Sequence, residues 1–325
     1  MKFSISVVIP NYKGKKLLEA NLPAIYLALK SSGISDYEII IPDDASGDDS
    51  CAYIKQYYPD IILIENQVNK GFGGNTNTGI FRAVKDLVFI VNSDVVLTEN
   101  YFIPLLPYFE NPLTFGVMSR IIGINTYAIQ DGAKYPNYAF ANIGSCKNYT
   151  SETSNSLYSL FLSGANALVD RKKIIELQGF NEIFNPYYSE DVDLGLRAWK
   201  LGYQCFYEHK AICRHPNSET IKKEPGKKVR IVSKRNKMFL HYLHLDGVEL
   251  AYYLLILSLK TFFRTLILDT NYLHSYLQFL SNLKACKQAK NTFKSLQKKK
   301  NIELSMADIV KEIKREIGTQ NIIKF

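Results

Sequence analysis

Within its first hundred residues the chain sets down four short apolar runs, each closed by a cluster of Asn, Asp, Gly or Pro. The runs are Ser4–Ile9, Tyr37–Ile41, Ile61–Glu65 and Leu87–Val91, with stretches of helical period around Lys15–Lys30, Asp49–Tyr58 and Asn75–Lys85 between them. This alternation specifies an α/β fold with a mostly parallel central sheet and crossover helices on its faces. It also gathers four loops at one sheet edge: Pro10-Asn11-Tyr12, Asp43-Asp44-Ala45-Ser46, the run from Asn69 to Asn75, and Asn92-Ser93-Asp94. That edge is where such sheets bind their ligands.

The 325 residues, 46% of them hydrophobic, suffice for one large core or for a domain with an appendage. Charge divides the chain unevenly. Residues 222–325 hold 21 Lys and Arg against 8 Asp and Glu, whereas the remainder carries 19 against 23. A basic tail of this kind faces nucleic acid, an anionic membrane or an acidic substrate. Five cysteines at 51, 146, 205, 213 and 286 show no Cys-x-x-Cys pair and no zinc spacing, which reads as reduced thiols in a cytoplasmic protein. The first apolar run is too short for a signal peptide and reads as a strand.

Further along, residues 120–160 are polar and poorly periodic, and read as an insertion over the acceptor side. Leu160–Val169 reads as another strand containing Ser163-Gly164-Ala165; a short helix from Arg171 and a second from about Ser189 follow. From Val229 onward the pattern is helical. Its most apolar window, Glu249–Leu268, is broken by Lys260 and Arg264, so a surface or packing helix fits better than a membrane span. Lys284, Lys287, Lys290, Lys294 and Lys298–Lys300 would suit anionic lipid heads or form a solvated face. The expected division is 1–225 for the catalytic domain and 226–325 for a basic, helical, membrane-associating region.

Several residues carry chemistry on their own terms. Asp94, in a turn after a buried strand, suits a hard divalent cation that draws its other ligands from a diphosphate and water, although Asn-Ser-Asp is also ordinary turn chemistry. Gly71, Phe72, Gly73 and Gly74 allow close backbone approach ahead of a helix expected to start at Asn75, a setting favourable to a diphosphate. Glu190, Asp191 and Asp193 put three acids at a helix start, more than capping requires. Ser46 and Asp48 read as caps of the helix that follows. Arg235-Asn236, amid Lys222, Lys223, Lys227, Lys228, Arg230, Lys234 and Lys237, reads as a mobile basic segment able to close over a diphosphate. Trp199 reads as core.

Taken in order, Val7–Tyr12, Pro42–Asp48, Asn69–Asn77, Asn92-Ser93-Asp94, Phe161–Ala165, Gly179–Glu182, Ser189–Leu194 and His215 resemble glycosyltransferase family 2 of the GT-A fold. The rhamnosyltransferase-like branch that builds bacterial surface polysaccharides, O-antigen among them, is the most similar, over roughly residues 4–240. The resemblance implies a GT-A catalytic domain, Rossmann-like, with a helical C-terminal extension. It implies that Asp43 accepts a hydrogen bond from a pyrimidine base, and that Pro10, Asn11, Tyr12, Gly71, Phe72, Gly73, Asn75, Asn92, Ser93 and Arg235 line the nucleotide-sugar site. Asp94, with Asn92 in place of the first acid of the family's Asp-x-Asp, would bind Mn²⁺ or Mg²⁺, and His215 would complete that metal shell. Asp191, with Glu190 as competitor, would be the catalytic base.

The activity so implied is inverting, metal-dependent transfer of one sugar from dTDP-rhamnose or a UDP-sugar to a glycan or lipid-linked glycan. The Gln-x-x-Arg-Trp motif of processive synthases is missing from the sequence, which favours one sugar per encounter. Expected partners are the donor, the acceptor, an anionic membrane at its cytoplasmic face and a second copy of the chain, and no nucleic acid. A sugar-nucleotide nucleotidyltransferase and an inactive nucleotide- or glycan-binding protein are the rival readings.

Overall fold

The computed structural model describes residues 3–151, 156–216 and 226–325. The first part of the chain runs β1 (Ile5–Val8), α1 (Lys15–Ser31), β2 (Tyr37–Asp43), α2 (Ser50–Tyr57), β3 (Ile62–Glu65), α3 (Gly71–Arg82) and β4 (Leu87–Val91). All pairings among these strands are parallel, in the order β4-β1-β2-β3. Alternate side chains go to opposite faces. Val8, Ile40, Val88 and Ile90 join the core under α3, while Val7, Ile39, Phe89 and Val91 meet Leu18, Leu22, Ile25 and Leu29 of α1. Covering on both faces is why these strands are continuous apolar runs rather than alternating ones. Gly79 allows α3 to lie this close, because a Cβ there would sit 2.5 Å from Val8 Cγ1.

The sheet then becomes mixed. The chain continues through β5 (Val96–Leu97), β6 (Thr114–Gly123), β7 (Ile129–Asp131), β8 (Ala133–Tyr135), β9 (Tyr138–Ala139), β10 (Asn142–Ile143), β11 (Lys147–Thr150), β12 (Leu157–Tyr158) and β13 (Asn166–Asp170), of which β9 and β10 pair apart from the main sheet, as do β8 and β11. α4 (Arg171–Glu176), α5 (Glu190–Lys200) and β14 (Gln204–His215) follow. β13 lies antiparallel between β4 and β6, and β14 runs parallel to β6. Two expectations are corrected here. The strand expected over Leu160–Val169 begins only at Asn166, because Ser163–Ala165 turn the chain before it joins β4. The described residues of the stretch 120–160 form short strands, mostly two to four residues long, whose alternation is too brief to read from sequence.

Five helices close the chain: α6 (Gly226–His244), α7 (Gly247–Leu266), α8 (Thr270–Ser281), α9 (Leu283–Lys300) and α10 (Met306–Ile317), then β15 (Ile323–Lys324). They share a core with the sheet. Met306, Ile309, Ile313 and Ile317 pack in the same cluster as Leu196, Trp199 and Leu201 of the α5 region, and β15 pairs with β11. A reciprocal capping box between Ser305 and Asp308 starts α10. Among the described residues no helix is long and apolar enough to cross a membrane. The lysine cluster is not one free face: Lys290 and Lys294 pair with Asp246, and Lys300 pairs with Glu176.

Candidate active site

The end of β2 meets the loop after β1 through mutual hydrogen bonds. Asp43 is buried; its Oδ2 accepts from Asn11 Nδ2 (2.7 Å) and Ser46 Oγ (2.6 Å), and its Oδ1 from the Ser46 amide (2.9 Å). Oδ1 therefore retains one lone pair, the capacity a base N–H would need. Asn75 points backward, donating to Pro42 O (3.0 Å) and Asn11 O (3.3 Å) while accepting from Asn66 (2.8 Å). It staples β1 to β2. Ser46 serves Asp43 rather than capping α2, whose start is met instead by Asp48, accepting from the Ser50 amide. Tyr12 leaves its ring half exposed at the rim, and Pro10 precedes the buried Asn11.

The glycine-rich segment corrects the sequence reading. α3 begins at Gly71, four residues earlier than expected, so Gly73, Gly74 and Asn75 are helical. Its first amides already have acceptors in the protein: Lys70 N–H donates to Asp44 Oδ1 (2.7 Å), Gly71 to Asn69 Oδ1 (3.1 Å) and Phe72 to Pro186 O (3.2 Å). What the glycines permit is close packing against residues 180–186. A Cβ on Gly71 would meet Pro186 backbone at 3.0 Å, and one on Gly73 would meet Asn185 and Phe180 at 3.4 Å. Phe72 stacks toward Phe180 and over Gly164.

At the next loop the sheet itself assembles a pair of ligands. β5 pairs antiparallel with β14, Val96 opposite Arg214, which brings Asp94 alongside His215. Asp94 Oδ2 lies 3.2 Å from His215 Nε2, and Asp94 Oδ1 is buried with no hydrogen-bond partner. A buried acceptor without a donor is costly unless something else satisfies it. One carboxylate and one imidazole fit a divalent cation whose other positions are taken by phosphate oxygens and water. Among the described residues no group of three or more His, Cys, Asp or Glu forms a closed metal cage. Asn92 fixes the turn, donating its amide to Ala165 O (3.1 Å), and Ser93 O accepts from Asn21 (2.6 Å).

The acid pair stands on the far side of the same 163–165 segment. Asp191 lines a small cavity with Ile90, Ser163, Gly164 and Phe180, so the end of β4 reaches both the Asp94 turn and the start of α5. Glu190 is buried and its Oε2 has no partner among the described residues, while Asp191 Oδ1 accepts from the Val192 amide (2.8 Å). Burial raises the pKa of both carboxyls above the ordinary range, and Asp191's charge raises Glu190 further. Asp193 differs. It is held ionised, its pKa lowered by Arg197 (2.7 Å) and His244 (2.9 Å) despite burial.

Arg235 is engaged within the protein. Its Nη2 donates to Asn185 O (2.5 Å), and its guanidinium lies 5.2 Å over the Phe239 ring. Asn236, fully buried, donates to Phe184 O (2.6 Å), Tyr187 O (2.8 Å) and Tyr188 O (2.9 Å). Tyr188 and Ser189 both have positive φ, so this brace holds an unfavourable bend directly before Glu190. Asn236 and His244 were missed as supports. The available signal was a polar residue inside an apolar stripe, Val232, Asn236, Phe239, Leu240, Leu243. Trp199 is core, donating to Ser159 O (3.0 Å). Of the surrounding cations, Lys222 and Lys223 lie outside the described residues.

Comparison with known proteins gives these residues a context. The family model described as glycosyl transferase family 2 matches residues 6–177. A poly(ribitol-phosphate) beta-glucosyltransferase of Bacillus spizizenii is 36% identical over 125 residues, covering 37% of this chain and 19% of that protein. A GalNAc(5)-diNAcBac-PP-undecaprenol beta-1,3-glucosyltransferase of Campylobacter jejuni is 25% identical over 211 residues, 64% of this chain and 62% of that protein. The chain thus spans less than two thirds of either relative. Among solved structures, GalNAc-T7 with UDP, GalNAc and Mn²⁺ superposes with a TM-score of 0.69 at 16% identity, over 98% of this chain and 57% of that one. S. aureus TarS 1-349 in complex with UDP-GlcNAc gives 0.55 at 15% identity, over 97% and 92%. Likeness at such identities carries the fold, which is GT-A with a helical extension.

Proposed function

The chain belongs to glycosyl transferase family 2, and from that premise we propose that it transfers a single sugar, with inversion, from a nucleotide diphosphate donor to a lipid-linked glycan. The observation that carries this reading is the Asp94–His215 pair, with its unsatisfied carboxylate oxygen, in a turn bonded through Asn92 to the 163–165 segment whose Ser163 and Gly164 line a cavity with Asp191. A divalent cation held by Asp94 and His215 would offset the charge gathering on the departing diphosphate. Asp43, Asn11 and Tyr12 seat the base and ribose, and the donor is a pyrimidine nucleotide, dTDP-rhamnose or a UDP-sugar.

Asp191 takes the proton of the acceptor hydroxyl as that oxygen bonds to the anomeric carbon. The bond from that carbon to the diphosphate oxygen breaks on the opposite face, and the nucleotide diphosphate leaves with the electron pair. Glu190, its pKa raised by burial and by the Asp191 charge, stays protonated beside it, and burial raises the basicity of Asp191 toward the working pH. The brace from Asn236 holds the bend that aims Asp191. The relatives' names, a ribitol-phosphate polymer and an undecaprenol-linked glycan, support an acceptor of the cell-surface polysaccharide class.

A melting screen with UDP-, dTDP- and GDP-sugars, with and without Mn²⁺, tests the donor, since a ligand of the native state raises its melting temperature. UDP- or dTDP-sugars are expected to shift melting only with Mn²⁺, and the shifting donor is expected to be turned over. No shift with any pyrimidine nucleotide would overturn the assignment of Asp43.

A further inference from the structure

α7 is apolar on two sides, and among the described residues only one of them is covered. Leu257 and Thr261 are buried, with Leu250, Tyr253 and Leu254 packed on the core. Leu255, Leu259, Phe262 and Leu266 form a second stripe at three- and four-residue spacing that faces out. The stripe runs into Ile267 and Leu268 at the α7–α8 turn, 76% and 83% exposed. A continuous apolar surface of this size marks an interaction site.

The surroundings of this tip are cationic. Lys234, Lys260 and Arg264 gather over the Tyr272 ring at 5.4, 5.8 and 4.9 Å. Asp269 is the acid among them, 2.6 Å from Arg264 and 3.8 Å from Lys234, and it leaves the collar net positive. Residues 222–325 as a whole carry the excess of 21 basic over 8 acidic side chains. Two copies meeting through this surface would bring two positive collars together, whereas an anionic bilayer complements both the charge and the apolar tip. Helix α7 falls short of a membrane span, so it would lie at the interface rather than cross.

We propose that the end of α7 and the α7–α8 turn form a docking surface for an anionic lipid bilayer, with Phe262, Phe263, Leu266, Ile267 and Leu268 entering the headgroup region and the Lys234, Lys260, Arg264 collar above them. The inference rests on the reading of a lipid-linked acceptor, since docking would hold the catalytic cleft near an acceptor confined to the same surface.

The test is sedimentation of the full chain with phosphatidylcholine vesicles made with and without phosphatidylglycerol. Binding is expected only with phosphatidylglycerol and should weaken with salt. Phe262→Ser/Phe263→Ser should lower the vesicle partition coefficient about tenfold or more, as expected for two large apolar side chains. Leu268→Asn is the second variant: its φ of +59° suits Asn better than Leu, so folding is preserved while binding falls. Release of nucleotide diphosphate from the donor in the absence of acceptor should be unchanged in both variants, which separates this surface from the active-site reading. Equal vesicle binding by wild type and variants would overturn the proposal. So would a wild-type dimer, seen by light scattering, that both variants dissolve while no vesicles bind.

Discussion

The two ends of the cleft differ in how their polar atoms are satisfied. At the β1–β2 end both oxygens of the nearly enclosed Asp43 carboxylate accept hydrogen bonds and Asn75 bonds Asn66, so that end leaves a neutral amide oxygen, Asn11 Oδ1, buried without a partner but no carboxylate. At the β4–α5 end Asp94 Oδ1 and Glu190 Oε2 are buried without partners, and the two α5 acids sit with raised pKa values. The first end is organised for geometry and spends little on chemistry. The second stores an electrostatic cost that a ligand or a proton relieves, as active sites commonly do. Substitutions should therefore separate: at the first end they unfold, at the second they inactivate.

The largest expected effect is at Asp191. Asp191→Asn should cut kcat by about 10²–10⁴-fold, the range of general base catalysis, with the donor-induced melting shift retained. A loss of donor binding equal to the loss of turnover would instead place Asp191 in the donor site. Asp43→Asn comes next and should act mainly on stability. It sets an NH2 donor against donors, either Asn11 Nδ2 and Ser46 Oγ or the Ser46 amide, and a loss of about 2–3 kcal/mol in urea unfolding is expected. Unchanged stability would show that the network is not what holds the two loops together.

Glu190→Gln gives the smallest change and the sharpest contrast, because it should stabilise. Glu190's folded pKa lies above its unfolded value, so the protonated form is the one folding favours. Below the ordinary carboxylate range both states are protonated and Gln changes little. As pH rises from that range toward the raised folded value, the unfolded state loses its proton first and wild-type stability falls. Gln avoids that loss. Urea midpoints should match at low pH and favour Glu190→Gln by roughly 0.5–2 kcal/mol above neutrality, while turnover falls. Equal midpoints across that range would show that Glu190 is not strained.

The two ends were unequally legible in the sequence. Leu87–Val91 is a strand with the expected bounds, since a five-residue apolar run before Asn-Ser-Asp leaves few alternatives. Asp94 and His215 lie side by side, and the β5–β14 pairing explains how residues so distant in the chain meet. Gly71–Gly74 misled because glycine argues against helix in a local reading, whereas here contact with residues 180–186 outweighs propensity. The contacts of Arg235 were hidden for a related reason. Its basic neighbours suggested a phosphate clamp, and nothing local reveals that Asn185 O and Phe239 hold it. The brace from Asn236 depends on tertiary placement of α6 against residues 184–188: the polar residue in an apolar stripe signals burial, but its partners are not local in sequence.

Mn²⁺ titration followed by electron paramagnetic resonance, with and without UDP or dTDP, addresses the Asp94–His215 pair directly. Mn²⁺ should bind weakly alone and more tightly with the nucleotide, and Asp94→Ala should weaken the ternary complex by at least about tenfold. Undiminished binding to Asp94→Ala would mean that the unsatisfied oxygen of Asp94 awaits something other than a metal ion.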